Sequence, residues 1–240
     1  MSFLDGVKSI LLDIEGTTTP IDFVHDVLFS YARDHVRDFL TDNLDSAEVR
    51  ADVALLREEH EVDVRESRNP PSLANDIESI ATYVKWLIAR DRKSTGLKSL
   101  QGKIWQQGYL AGVLKSQVFA DVRPALERWR ARGLSISIFS SGSVLAQRLL
   151  FAHTEAGDLT RFIDNYFDTE VGKKGEPNSY RRIAEALNLR SDEILFISDV
   201  VTELDAAREA GMKTLLSIRP GNPSQDHTDQ YATILTFAES

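Results

Sequence analysis

The chain has no cysteine among its 240 residues, which removes disulfides, thiolate metal sites and a cysteine nucleophile together. A reducing cytosol fits that absence. Basic charge is also scarce: 28 Lys and Arg against 37 Asp and Glu leave a formal charge of −9. Binding to nucleic acid relies on Lys and Arg neutralising phosphates, so no nucleic-acid partner is expected. A phosphate recognised here would belong to a small molecule. No apolar run approaches the roughly 20 residues of a membrane span. The opening residues carry no basic segment followed by an apolar signal core, since Asp5 and Asp13 interrupt it. The expectation is a cytoplasmic protein without a membrane partner. Its length leaves open one large domain or a domain with a sizeable insertion.

What is present is organised around Ser9-Ile-Leu-Leu12, an apolar run too short for a helix and suited to a central strand of a parallel sheet. Asp13 and Glu15 follow it, one residue apart, before a break at Gly16 and three threonines. Ligands in such sheets bind beyond the carboxyl ends of the strands, where these carboxylates would emerge. The plain alternative is a strand-to-loop turn, in which Asp, Gly and Thr are common for local reasons.

Residues 20–115 read as mostly helical. Asp22 could cap a helix bearing Phe23, Val24, Val27, Leu28, Tyr31, Val36, Phe39 and Leu40 at three- and four-residue spacing. Val49, Val53 and Leu56 share a second helical face. The charged stretch from Glu58 to Arg68 reads as a solvated surface loop ending at Asn69-Pro-Pro-Ser72. A third helix spans Ile77 to Ile88, with Asn75 or Asp76 near its start. A fourth, from about Leu97 to Leu114, holds Gly102, Gly108 and Gly112, each costing about 1 kcal/mol relative to Ala. These glycines either permit close packing or divide the segment.

From Gln117 strands and helices alternate. Asp121 reads as an N-cap before a helix that stops at Gly133. Strands follow at 134–139, 165–168, 193–198 and 214–218, separated by helices, and the tail from Pro220 reads as surface wrapping. Such alternation implies right-handed crossovers and a parallel sheet. The fold class expected is α/β, a Rossmann-like parallel-sheet core made of 1–19 and 116–240. A helical cap of residues 20–115 would be inserted after the first strand and hang over Asp13, where it could exclude water.

Three more features fall at strand ends on the same edge as Asp13. Ser140-Ser141-Gly142-Ser143 could cradle a phosphate at a helix N-terminus or simply supply a serine cap. Lys173-Lys174 could neutralise a phosphate or be solvated. Asp199, with Glu203 four residues on, could bind a metal or cap a helix. Two carboxylates about 4 Å apart repel by roughly 1 kcal/mol in water and roughly 4 kcal/mol at an effective dielectric of about 20. Asp13, Glu15 and Asp199 converging in a cleft would therefore need a cation or a proton. Oxygen-only ligands point to Mg²⁺.

These four pieces, in this order, resemble the haloacid dehalogenase superfamily. The likeness implies that Asp13 attacks phosphorus to form an aspartyl-phosphate, that Ser140 and Ser141 bind the phosphoryl group, and that Lys174 orients Asp13 and phosphate. It also implies one Mg²⁺ per chain held by Asp13, Glu15 and Asp199. Glu15 departs from the commoner Asp at that position. With Asp-Ile-Glu-Gly-Thr-Thr-Thr-Pro, Phe23 to Tyr31, the serine loop and Arg219-Pro-Gly-Asn222, it makes the chain similar to the enolase-phosphatases of methionine salvage. That likeness implies a monomer that converts the phosphorylated diketone 2,3-diketo-5-methylthiopentyl-1-phosphate to its enol and then to an acireductone plus phosphate. Glu15 becomes a candidate acid/base group whose metal contact is made by its side chain or its backbone carbonyl. The alternative is a Mg²⁺-dependent phosphomonoesterase of small metabolites without the enolase step. His25, Trp105 and Tyr109 read as structural side chains of the helical block.

Overall fold

A computed structural model describes residues 3–92, 94–226 and 228–239. Residues 1, 2, 227 and 240 of the expected core lie outside them. The opening apolar run forms strand β1 (Ser9–Leu12), buried along its whole length. Parallel neighbours flank it on both edges, β2 (Ser135–Phe139) pairing Leu12 with Ile138 and β4 (Ile194–Ser198) pairing Leu12 with Ile197. With β3 (Asn165–Phe167), β5 (Lys213–Ser217) and β6 (Thr233–Ile234) the sheet has the order β3-β2-β1-β4-β5-β6, every pairing parallel. The chain first builds outward from β1 through β2 to β3, then crosses back to place β4 on the other side of β1. That reversal puts a topological switch point between the carboxyl ends of β1 and β4.

The polypeptide divides into two compact units, Met1–Val24 with Lys115–Ser240 and His25–Leu114. The second is helical. A seven-residue π-helix (Phe23–Phe29) leads into α1 (Ser30–Asn43), followed by α2 (Ala47–Arg65), α3 (Ile77–Ile88) and α4 (Thr95–Leu110). Helical backbone begins at residue 21, so Asp22 lies inside the helical stretch instead of capping it. Ser46, Asp76 and Ser94 supply real caps, each side chain accepting from an amide three residues on.

Glycine permits close packing within α4. A Cβ on Gly108 would fall 2.7 Å from the Tyr31 ring, and one on Gly96 would fall 2.9 Å from the Asp52 carbonyl. Only Gly112, at φ +70° just past the end of α4, marks a stop.

The first part of the stretch expected to be a charged loop, residues 58–65, is instead the last two turns of α2, and the loop begins at Glu66. Glu and Arg are good helix formers, and Asp63 there is fully buried, not solvated. Tyr83 Oη donates to it at 2.7 Å, Arg68 at 2.8 Å and Arg92 at 2.9 Å, while Arg92 also reaches Glu59 at 3.0 Å. A buried carboxylate is tolerated when its lone pairs are filled in this way.

The sheet of the first unit is covered by α5 (Val122–Ala131), α6 (Val144–Ala152), α7 (Pro177–Leu187) and α8 (Val201–Glu209). Asp121 does not cap α5. Its carboxylate accepts from Arg219 and from the Phe237 amide, pulled away by a stronger charge-assisted pair. The tail after Pro220 also departs from the expected surface wrap. It adds β6 to the sheet and sends side chains to the strand ends described next.

Candidate active site

Asp13 stands one residue past β1 and is 4% exposed. Its amide donates to the Ile197 carbonyl of β4 at 3.0 Å, so the ladder itself fixes where the carboxylate leaves the sheet. The next residues fold tightly back: the amides of Thr17, Thr18 and Thr19 all donate to the Ile14 carbonyl, at 3.2, 2.9 and 2.9 Å. Gly16 allows this at φ +66°, and a Cβ there would sit 2.3 Å from Asp199 Oδ2. The glycine is thus needed twice, for its backbone angle and for the close approach of Asp199.

Lys174 is 8% exposed, and its Nζ donates to Asp13 Oδ1 at 2.6 Å and pairs with Glu203 Oε2 at 2.5 Å. Burial lowers the affinity of this amine for its proton, but the two carboxylates outweigh that effect and hold it charged. Tyr180 Oη donates to the Lys174 carbonyl at 2.7 Å, fixing the loop that carries it. Glu203, in the first turn of α8, also accepts from Ser198 Oγ at 3.0 Å. Burial first, then the neighbouring Asp13 charge, pushes its carboxyl up to about 7.

Asp199 follows β4 and is 4% exposed. Burial and the charges of Asp13 and Glu203 push its carboxyl up to about 8. Its Oδ1 is buried without a hydrogen-bond partner. Lys174 pairs with Asp13 and Glu203, and Asp199 feels the charge of both acids, so the acids exceed the cation that serves them. A hard divalent ion fits that deficit and that orphaned oxygen. Among the described residues, no group of three or more His, Asp or Glu is gathered to hold a metal. Asp199, with its unpartnered oxygen, and Asp13, whose charge it feels, are the carboxylates that fit such an ion.

At the end of β2 the serine loop separates its two roles. Ser143 is the N-cap of α6, its Oγ accepting from Ala146 N at 3.3 Å. Ser140, 7% exposed, accepts from Gly142 N at 3.2 Å and keeps its own proton to donate. Ser141 is half-buried beside it. Asp168 braces the same helix start by accepting from Val144 N at 3.2 Å.

The structure thus joins Asp13 to Lys174 directly, and packs Asp199 against the Gly16 turn. Ser140 and Ser141 lie at the end of the adjacent strand, and Glu15 is half-buried in the turn, bridged through its backbone to Thr19. Sequence reasoning left Glu203 and Asn222 without a role and missed Gln225. Asn222 Nδ2 donates to the Gly16 carbonyl at 2.9 Å, and Gln225 donates to the Asp199 carbonyl. The Arg-Pro-Gly-Asn turn signature was the available clue.

The pattern of the haloacid dehalogenase-like hydrolases matches residues 7–211. Enolase-phosphatase E1 of Synechococcus elongatus is 52% identical over 98% of both chains. A longer Sorghum bicolor protein, whose name pairs methylthioribulose-1-phosphate dehydratase with enolase-phosphatase E1, is 45% identical over 98% of this chain and 47% of its own length. Among solved structures, the UTR4 protein of Saccharomyces cerevisiae superposes with a TM-score of 0.77 at 33% identity, covering 96% of this chain and 98% of that one. The chain belongs to the haloacid dehalogenase-like hydrolases and, within them, to the enolase-phosphatase E1 family.

Proposed function

We propose that the chain is a monomeric cytoplasmic enolase-phosphatase that converts 2,3-diketo-5-methylthiopentyl-1-phosphate to its enol and then to 1,2-dihydroxy-3-keto-5-methylthiopentene and inorganic phosphate. The carrying observation is the buried Lys174 bonded to Asp13 Oδ1 at 2.6 Å, beside an unpartnered Asp199 oxygen. The paired dehydratase in the sorghum relative's name supports the substrate, because loss of water from a methylthio ketose phosphate leaves a methylthio diketone phosphate.

In this reading Asp13 attacks phosphorus, forming a P–O bond to its carboxylate while the bond to the ester oxygen breaks. Water then cleaves the aspartyl-phosphate and returns Asp13 and phosphate. Lys174 holds the Asp13 carboxylate in place and meets phosphoryl charge as a fixed cation. The Ser140 hydroxyl and the Ser141 loop hold phosphoryl oxygens. Glu15 serves as acid/base group for the enol step. Asp13, Asp199 and Glu15, through its side chain or its carbonyl, would hold one Mg²⁺, which supplies charge neutralisation between nucleophile and phosphate when bound. Residues 20–115 act as the substrate-selecting cap insert.

The test gives purified protein the diketo phosphate with Mg²⁺ and follows acireductone absorbance and free phosphate together. Both products are expected in equal amounts. Phosphate without acireductone would leave a plain phosphomonoesterase, and absence of both would sink the reading.

A further inference from the structure

Arg219, Pro220, Gly221 and Asn222 form a tight turn. Asn222 N donates to the Arg219 carbonyl at 3.1 Å and Gly221 sits at φ +89°. Proline second and glycine third is the sequence of a type II turn. Three side chains from this turn and the residues just after it end on the two loops that carry the acids. Arg219 Nε donates to the Thr17 carbonyl at 3.1 Å. Its guanidinium is itself held between the rings of Phe119 and Phe237, at 4.7 and 4.4 Å, and pairs with Asp121 at 2.8 Å. Asn222 Nδ2 donates to the Gly16 carbonyl at 2.9 Å. Gln225 Nε2 donates to the Asp199 carbonyl, while its Oε1 accepts from Val201 N at 2.9 Å. Helix α8 has no side-chain cap of its own, so Gln225 satisfies an amide that would otherwise be orphaned at its start.

We propose that Arg219, Asn222 and Gln225 form a clasp that sets the spacing between the Asp13–Thr19 turn and the Asp199 turn, and so act as positioning residues for the reaction. The inference rests on the phosphatase reading above. The need for a clasp is visible at Gly16, where the two turns approach so closely that one added carbon would collide with Asp199. Each clasp bond ends on a backbone carbonyl or amide, so none occupies a carboxylate oxygen needed for chemistry. Displacement of a reacting group by about 1 Å costs on the order of 10²-fold in rate, and loss of a partner behind a metal ligand costs about 10- to 100-fold in affinity or activity.

The experiment compares Asn222→Ala, Gln225→Ala and the double variant with Ser224→Ala, an exposed neighbour in the same segment. Arg219 is left intact because its loss would empty the space between two rings. Hydrogen exchange of the metal-free proteins reads the turns directly. Faster exchange is expected in residues 14–19 for Asn222→Ala and in 199–203 for Gln225→Ala. Calorimetric Mg²⁺ affinity should weaken about tenfold. With the diketo phosphate, kcat should fall about 10- to 100-fold with KM nearly unchanged. Ser224→Ala should match wild type throughout. Exchange and Mg²⁺ affinity equal to wild type in both folded single variants would overturn the clasp. Wild-type protein that releases no phosphate would overturn the reaction instead, while exchange still decides the clasp.

Discussion

Each of the two units buries a cluster of acids, and they treat the charge in opposite ways. In the helical unit Asp63 is enclosed completely, yet a tyrosine and two arginines fill its oxygens. Burial raises its carboxyl, but those three partners outweigh burial and hold it below the usual carboxylate range. In the sheet unit Asp13, Glu203 and Asp199 share one lysine, and both Glu203 and Asp199 are pushed upward. The first cluster is complete and holds helices together. The second sets three acids against one lysine, and acids perturbed in this way cluster at functional sites. A buried acid by itself therefore says little about function; the balance of its neighbours says much more.

Substitutions can break that contrast. Asp13→Asn carries the largest expected effect: phosphate release falls by a factor on the order of 10⁴ or more, measured by phosphate assay at saturating substrate. Retained turnover would remove Asp13 as nucleophile. Gly16→Ala comes next, because the new carbon collides with Asp199 and the backbone angle is strained. It should cost about 100-fold in kcat/KM, whereas Gly108→Ala, crowding Tyr31 in the other unit, should spare kcat/KM and cost about 1–3 kcal/mol of stability. An activity loss in both, read side by side with urea melts, would erase the distinction. Asp63→Asn should destabilise the helical unit by about 3 kcal/mol in urea unfolding, since it breaks a buried ionic cluster on one side only.

The smallest effect is a pH dependence. The folded carboxyls of Asp63 and Asp121 bind protons more weakly than in the unfolded chain. Their stabilisation is thus fully present above the unfolded pKa of about 3.9 and is lost as pH falls through the depressed folded value. The stability gap between wild type and Asp63→Asn should narrow as pH falls below the unfolded value of about 3.9, in chemical unfolding monitored by circular dichroism. A gap that stays constant would mean that the Asp63 charge contributes nothing.

The sheet was readable because its strands are short apolar runs, and their carboxyl ends led to Asp13, Ser140, Lys174 and Asp199. Local chemistry hid the rest. The stretch from Glu58 to Arg65 looks solvated until Tyr83 and Arg92, 20 and 29 residues beyond Asp63, are seen to close on it. Asp121 looks like a cap until Arg219, 98 residues away, claims its carboxylate. Asn222 and Gln225 reach more than 20 residues back to carbonyls that leave no mark in the sequence. Periodicity reports a residue's own element, not a distant partner.

Strand β1 also has a consequence for how the molecule is made. It lies at the centre of the sheet, yet its partners β2 and β4 begin at residues 135 and 194. At roughly 5–20 residues per second, the ribosome exposes this apolar strand about ten to forty seconds before its second partner is complete. The helices of residues 25–114 contact one another over shorter spans and can form while it waits. The strand that ends at Asp13 is thus the first of the sheet to be synthesised and among the last to be secured, which makes it the segment a chaperone has the most to protect.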